Sequence, residues 1–142
     1  MTSNLTEIGK LNIEIIDGDR GKNYPHQNEL LAKGDCLFLS AQNVTSNGFN
    51  FSENKFITKE KDEILRNGKL RYDDIVITTR GTVGNVAHFD NKIPYKSLRI
   101  NSGMLIIRCG NNIETKYIYF LLASQWFKKQ ILSIYQHNMI TK

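Results

Sequence analysis

Two places in the sequence combine an acid with a Glu-x-Lys triplet, a donor set in which two carboxylates hold Mg²⁺ while the lysine orients a water. Asp35 with Glu53 and Lys55 is the first; Asp90 with Glu114 and Lys116 is the second. Both fit loosely. Seven glutamates in 142 residues give about 0.6 such triplets by chance. Glu114 also stands where a helix N-terminus favours an acid for electrostatic reasons alone. A small Mg-dependent nuclease is therefore the lesser reading. Phosphate-loop, dinucleotide-fingerprint, His-Glu-x-x-His and nucleophile-elbow motifs are all missing from the sequence. Cys36 and Cys109 stand far apart, and His26, His88 and His137 are isolated, so no zinc-type spacing arises. The two thiols read as small buried side chains of a reducing compartment.

Three loops carry a different chemistry, positive charge and amide or hydroxyl groups on a flexible backbone. Gly18 to Pro25 contains Arg20, Lys22 and Tyr24. There a cation can take a phosphate or the acceptor edge of guanine; the alternative is a surface pair of Arg20 with Asp17 or Asp19. Ser40, Gln42, Asn43 and Thr45 follow an apolar stretch. Gln and Asn can bond adenine twice, or the amides can simply cap the loop. Arg80 and Thr82 lie in Arg80-Gly81-Thr82-Val83-Gly84, whose glycines suit a tight turn between strands. Lys96, Arg99 and Asn101 complete the candidate set from the polar stretch 96–102.

The elements that must hold these loops read as follows. Asn12 to Ile16, Cys36 to Leu39, Asp74 to Thr79, Asn85 to Phe89 and Gly103 to Arg108 are strand-like; Asp74 to Thr79 is the richest in β-branched residues. Asn47-Gly48 marks a hairpin turn, and Lys59 to Arg66 a short helix stopped by Asn67-Gly68. Thr115 caps a predicted helix running to about Ile134, with Phe120, Ala123, Phe127, Ile131 and Ile134 on one face and Tyr119 and Trp126 widening it. So broad a stripe must lie against a sheet. Strands first and a packing helix last predict one α+β domain over residues 1–142: a twisted mixed or antiparallel sheet, a C-terminal packing helix and long loops. Nineteen Lys and Arg against fourteen Asp and Glu leave a net charge of +5, which suits a polyanion through counterion release. The first ten residues lack the pattern of a signal peptide, and the longest apolar run is too short for a membrane span, so the expectation is a cytoplasmic protein.

Taken in order, these segments resemble a known family. Gly18-Asp19-Arg20-Gly21-Lys22-x-Tyr24-Pro25, then Phe38 to Asn43, look like the opening of target-recognition domains from type I restriction-modification specificity subunits. Asp74 to Gly84 is similar to that family's most recognisable segment; Asn101 to Arg108 and the helix Tyr117 to Ile131 follow in order. The resemblance implies a DNA-binding domain that reads one half of a split double-stranded site and is not itself an enzyme. It implies no cofactor on this chain. S-adenosylmethionine belongs to the modification (methyltransferase) subunits, and ATP and Mg to the restriction/translocase subunit. A full specificity subunit has two such domains joined by long spacer helices, expected after Lys142 and missing from this sequence. Related domains also occur fused to single-chain methyltransferase-nucleases, which is the alternative reading. A third is a regulatory module that binds protein and has lost DNA contact.

Overall fold

The structure is a computed structural model that describes residues 12–141, the side chains of residue 132 and of 135–141 excepted. In chain order it runs β1 (Ile13–Asp17), β2 (Cys36–Phe38), β3 (Val44–Thr45), β4 (Gly48–Phe49), β5 (Phe56–Ile57), α1 (Lys59–Ile64), β6 (Ile75–Thr78), β7 (Val86–His88), β8 (Leu98–Arg99), β9 (Met104–Cys109), α2 (Thr115–Ala123) and α3 (Gln125–Thr141). Four strands form an antiparallel sheet in the order β1-β9-β6-β7, and three form a mixed sheet, β5-β2-β8. β3 and β4 make a separate hairpin whose turn includes Asn47 and Gly48, the latter at a φ of +96°. The predicted α+β architecture is the one observed.

The four-stranded sheet lies between two apolar layers, which explains why β6 is buried at all four positions. Alternate side chains of a strand leave opposite faces. Val76 and Ile106 go to one side, with Leu37, Leu39 and Leu98 of the mixed sheet. Ile75 and Ile77 go to the other, against Ile118 and Leu122 of α2. Burying each such side chain contributes about 1.5–3 kcal/mol.

Inside the domain runs a seam of part-buried charge. Arg108 forks onto Asp74, with Nε to Oδ1 at 2.9 Å and Nη2 to Oδ2 at 2.8 Å. Asp62 of α1 takes both Lys69 and Arg99. Burial pushes the Asp62 carboxyl up, but the hydrogen bonds from Lys69 and Arg99 outweigh it and leave the group below its usual range.

The C-terminal element departs from the single helix expected. Ser124 leaves the helical conformation (ψ 152°), accepts the Phe127 N–H at 3.2 Å and donates to Leu121 O at 2.6 Å. It thereby starts α3 as a cap. The break shifts the helical phase. Ile118 and Leu122 are buried and Phe127 and Ile131 pack behind them, while Phe120, Trp126 and Ile134 are exposed rather than in the core. The cap of α2 is Glu114; Thr115, expected there, is buried and donates to Asp73 Oδ2 at 2.7 Å. Among the described residues no helix is long and apolar enough to cross a membrane.

Candidate nucleic-acid interface

Strand directions decide where the loops go. β1 and β6 run parallel to each other, both antiparallel to β9. The loop after β1, the turn from β6 to β7 and the turn before β9 therefore leave the same end of the sheet. β2 and β8 are parallel, so the turn after β2 and the segment Ile100–Gly103 after β8 also leave together.

Contacts tie these loops into one surface. A Cβ on Gly18 would stand 2.6 Å from Asn101 O, so only glycine allows this approach. The Tyr24 hydroxyl accepts the Ser102 N–H at 3.2 Å, and its ring meets Phe38 edge-on at 5.6 Å. Thr79 N donates to Gly103 O at 2.8 Å, and the Arg80 side chain runs over Gly103 towards Ser102. Asn85, at the far side of the same turn, donates from Nδ2 to Val44 O at 3.2 Å, joining the 40–45 segment to the group. The turn itself hangs on Thr78, whose hydroxyl donates to Thr82 O and accepts the Asn85 N–H. Gly81 and Gly84 both take positive φ, so these glycines have the conformational role expected of them.

The candidate residues separate by what they already hold. Arg20, Lys22, Gln42, Arg80 and Thr82 are exposed. Arg20 pairs with Asp17 at 3.1 Å, each side chain about half exposed; such a surface pair contributes little and exchanges readily. Ser40 and Asn101 are half-buried, and Asn101 Oδ1 accepts the Gly103 N–H at 2.8 Å. Thr45 bridges its hairpin, donating to Gly48 O and accepting from Asn47 N, and Tyr24 is an anchor as described.

Two residues are corrected. Asn43 is 1% exposed; its Nδ2 donates to Asn50 O and Glu53 O, both at 2.9 Å, and its Oδ1 accepts from Ser40 N at 2.9 Å. It builds the loop and has no free edge for a base. Arg99 is 5% exposed in β8. Besides Asp62 it donates to Asp62 O at 2.9 Å, Leu65 O at 3.1 Å and Asn67 O at 3.1 Å. Lys96 is exposed but stands where the chain enters β8, away from the turn that leaves it. Sequence reasoning missed Arg66, 75% exposed beside Gly21; no motif marks it, because its place depends on a contact with Asp19.

The two aspartates of the nuclease pattern have other partners. Asp35 accepts the Lys59 N–H at 3.2 Å, Asp90 accepts the Lys92 N–H at 2.9 Å, and Glu114 sits at the start of α2. Among the described residues no three His, Cys, Asp or Glu side chains group as metal ligands.

A layered sheet-and-helix frame thus presents cationic, amide-bearing loops from one end. The model of the family described as type I restriction modification DNA specificity domain matches residues 1–142, and the chain belongs to that family. Among solved structures it is similar to the HsdS subunit from Thermoanaerobacter tengcongensis, with a TM-score of 0.60 and 16% identity over 83% of this chain and 26% of that one. It is also similar to a chain from a structure described as the basis of complex assembly and conformational transition of the type I R-M system. That match has a TM-score of 0.57 and 16% identity over 78% of this chain and 25% of the other. At these identities the likeness is one of fold. The chain spans about a quarter of the length of both. No curated protein matches the sequence.

Proposed function

We propose that this chain recognises one half-site of double-stranded DNA for a type I restriction-modification complex and is itself non-catalytic. The observation that carries this reading is the convergence of the loops bearing Arg20, Lys22, Gln42, Arg80, Thr82 and Asn101 at one end of the sheets, several of these side chains exposed. The division of labour follows from side-chain chemistry. Arg20, Lys22 and Arg80 hold phosphates, which fixes register without reading sequence. Gln42, with the hydroxyls of Ser40 and Thr82, inspects base edges. Asn43, Tyr24, Thr45 and Arg99 keep the loops in place. Methyl transfer with S-adenosylmethionine, and ATP- and Mg-dependent cutting, belong to modification and restriction subunits in this reading. Tyr117, Phe120, Trp126 and Ile134, exposed on the helical layer, offer those partners an apolar surface. Work on chromosomal DNA implies a cytoplasmic location.

Selection from a pool of random duplexes, with and without a modification subunit, tests the proposal. The expected product is a short consensus that Gln42→Ala relaxes at one position. Selected pools with no consensus under either condition contradict it.

A further inference from the structure

Beside the loop face lies a hollow of about 470 Å³ lined by Asp19, Gly21, Lys22, Asn23, Ile64 and Arg66. Asp19 organises it. This buried carboxylate accepts the Gly21 N–H at 2.7 Å and the Arg66 N–H at 2.8 Å, clamping the loop after β1 to the chain that follows α1. The Arg66 guanidinium reaches back over Gly21, where a Cβ would come within 2.5 Å of it. It stands 3.6 Å from Asp19, too far for a good hydrogen bond, so its donors remain available. Lys22 lies exposed on the rim. The hollow adjoins the loop face, because Gly21, Lys22 and Asn23 on its wall belong to the loop after β1, whose Gly18 lies against Asn101. A second hollow next to it shares Arg66 and is lined by Lys69, Arg71 and Arg108 among others, but it also carries the Glu14 carboxylate. There Lys69 is spent on Asp62 and Arg108 on Asp74.

Resting on the DNA-binding reading above, we propose that the first hollow seats one phosphate of the duplex backbone, gripped by Arg66 and Lys22, with Asp19 as the positioning residue that sets Arg66 beside the loop. The guanidinium fork matches two phosphate oxygens, and Gly21 leaves room for it. A phosphate held here fixes the domain on the duplex and reads no base. Its loss is therefore felt equally by every sequence.

The test is a KCl titration of the 142-residue chain against a fluorescein-labelled pool of random duplexes. Arg66→Gln is expected to lower the slope of log affinity against log salt by about one and to weaken all duplexes alike. Arg66→Lys, which keeps the charge, is expected to keep the slope and lose only part of the affinity. Lys92→Gln, in the turn after β7 at the opposite end of the sheet, is expected to change neither. An Arg66→Gln protein with the wild-type slope, beside an Arg80→Ala protein whose slope has fallen, overturns the phosphate seat and leaves the DNA reading standing. Wild-type protein that binds no duplex overturns both.

Discussion

Arg99 and Arg80 are the same side chain in two regions with opposite fates. Inside the domain, Arg99, Arg108 and Lys69 are consumed by Asp62, Asp74 and backbone carbonyls. At the loop end, Arg80, Arg20 and Arg66 are exposed and held only by a 3.5 Å contact to Ser102, a surface pair, and an ion pair too long to be a hydrogen bond. The net charge of +5 counts both populations together. Only the second can be offered to a polyanion, because withdrawing Arg99 from its partners would take one of the two cations from Asp62 and leave several buried carbonyls unpaired.

Breaking the inner region should have the largest effect. Arg99→Met leaves Asp62 with Lys69 alone and the Asp62, Leu65 and Asn67 carbonyls without their donor, and is expected to cost about 3–5 kcal/mol in urea denaturation; a loss under about 1 kcal/mol would mean the seam is not a structural ion pair in solution. Two neighbours in one turn sharpen the contrast. Asn43→Ala is expected to destabilise by about 2 kcal/mol, since a buried amide with several partners is lost, and to leave the choice of base untouched in the folded protein. Gln42→Ala should leave stability within about 0.5 kcal/mol and relax discrimination at one base pair by about 1–3 kcal/mol. If both variants behave alike in both assays, the division between spent and offered amides fails. Ser124→Ala is a milder case of a spent group; losing the cap of α3 is expected to cost about 1 kcal/mol, seen as a lower Tm with unchanged DNA affinity.

The smallest effect concerns acid. The Arg66 and Gly21 backbone N–H groups hold the Asp19 carboxyl below its usual range. A carboxyl lowered in the folded state contributes stability that is fully present above its unfolded value, near pH 4. That stability fades as pH falls through the folded value, because the unfolded chain takes the proton first. Asp19→Asn should flatten the stability curve below about pH 4 and leave its shape near neutrality unchanged. A variant as acid-sensitive as wild type would remove Asp19 from this role.

Strands with strong local signals are legible in the sequence. The β-branched run ending in Thr79 became β6, and Asn47-Gly48 turned its hairpin. β8 was hidden because it is two residues long within a polar stretch, and its identity comes from pairing with β2 about sixty positions earlier. Arg99 looked like a surface cation for the same reason, since Asp62, which buries it, lies in another element. The helix was read with the right period, but the Ser124 cap resets the phase. Phe120, in line with Phe127 along an unbroken helix, therefore ends up outside, while Ile134 keeps its phase with Phe127 within α3 and is exposed nonetheless. At the candidate interface the exposed charges Arg20, Lys22 and Arg80 were legible from turn-forming, glycine-rich context. Arg66 was not, since nothing near it in sequence announces Asp19.

Mapping a bound duplex onto the backbone by amide chemical-shift perturbation tests the loop-end assignment most directly. The expected shifts cluster in Arg20–Tyr24, Ser40–Thr45, Thr79–Asn85 and Asn101–Gly103, with the turn around Lys92 silent. Shifts concentrated instead on the helical layer around Tyr117 and Trp126, with those four segments unmoved, would contradict it.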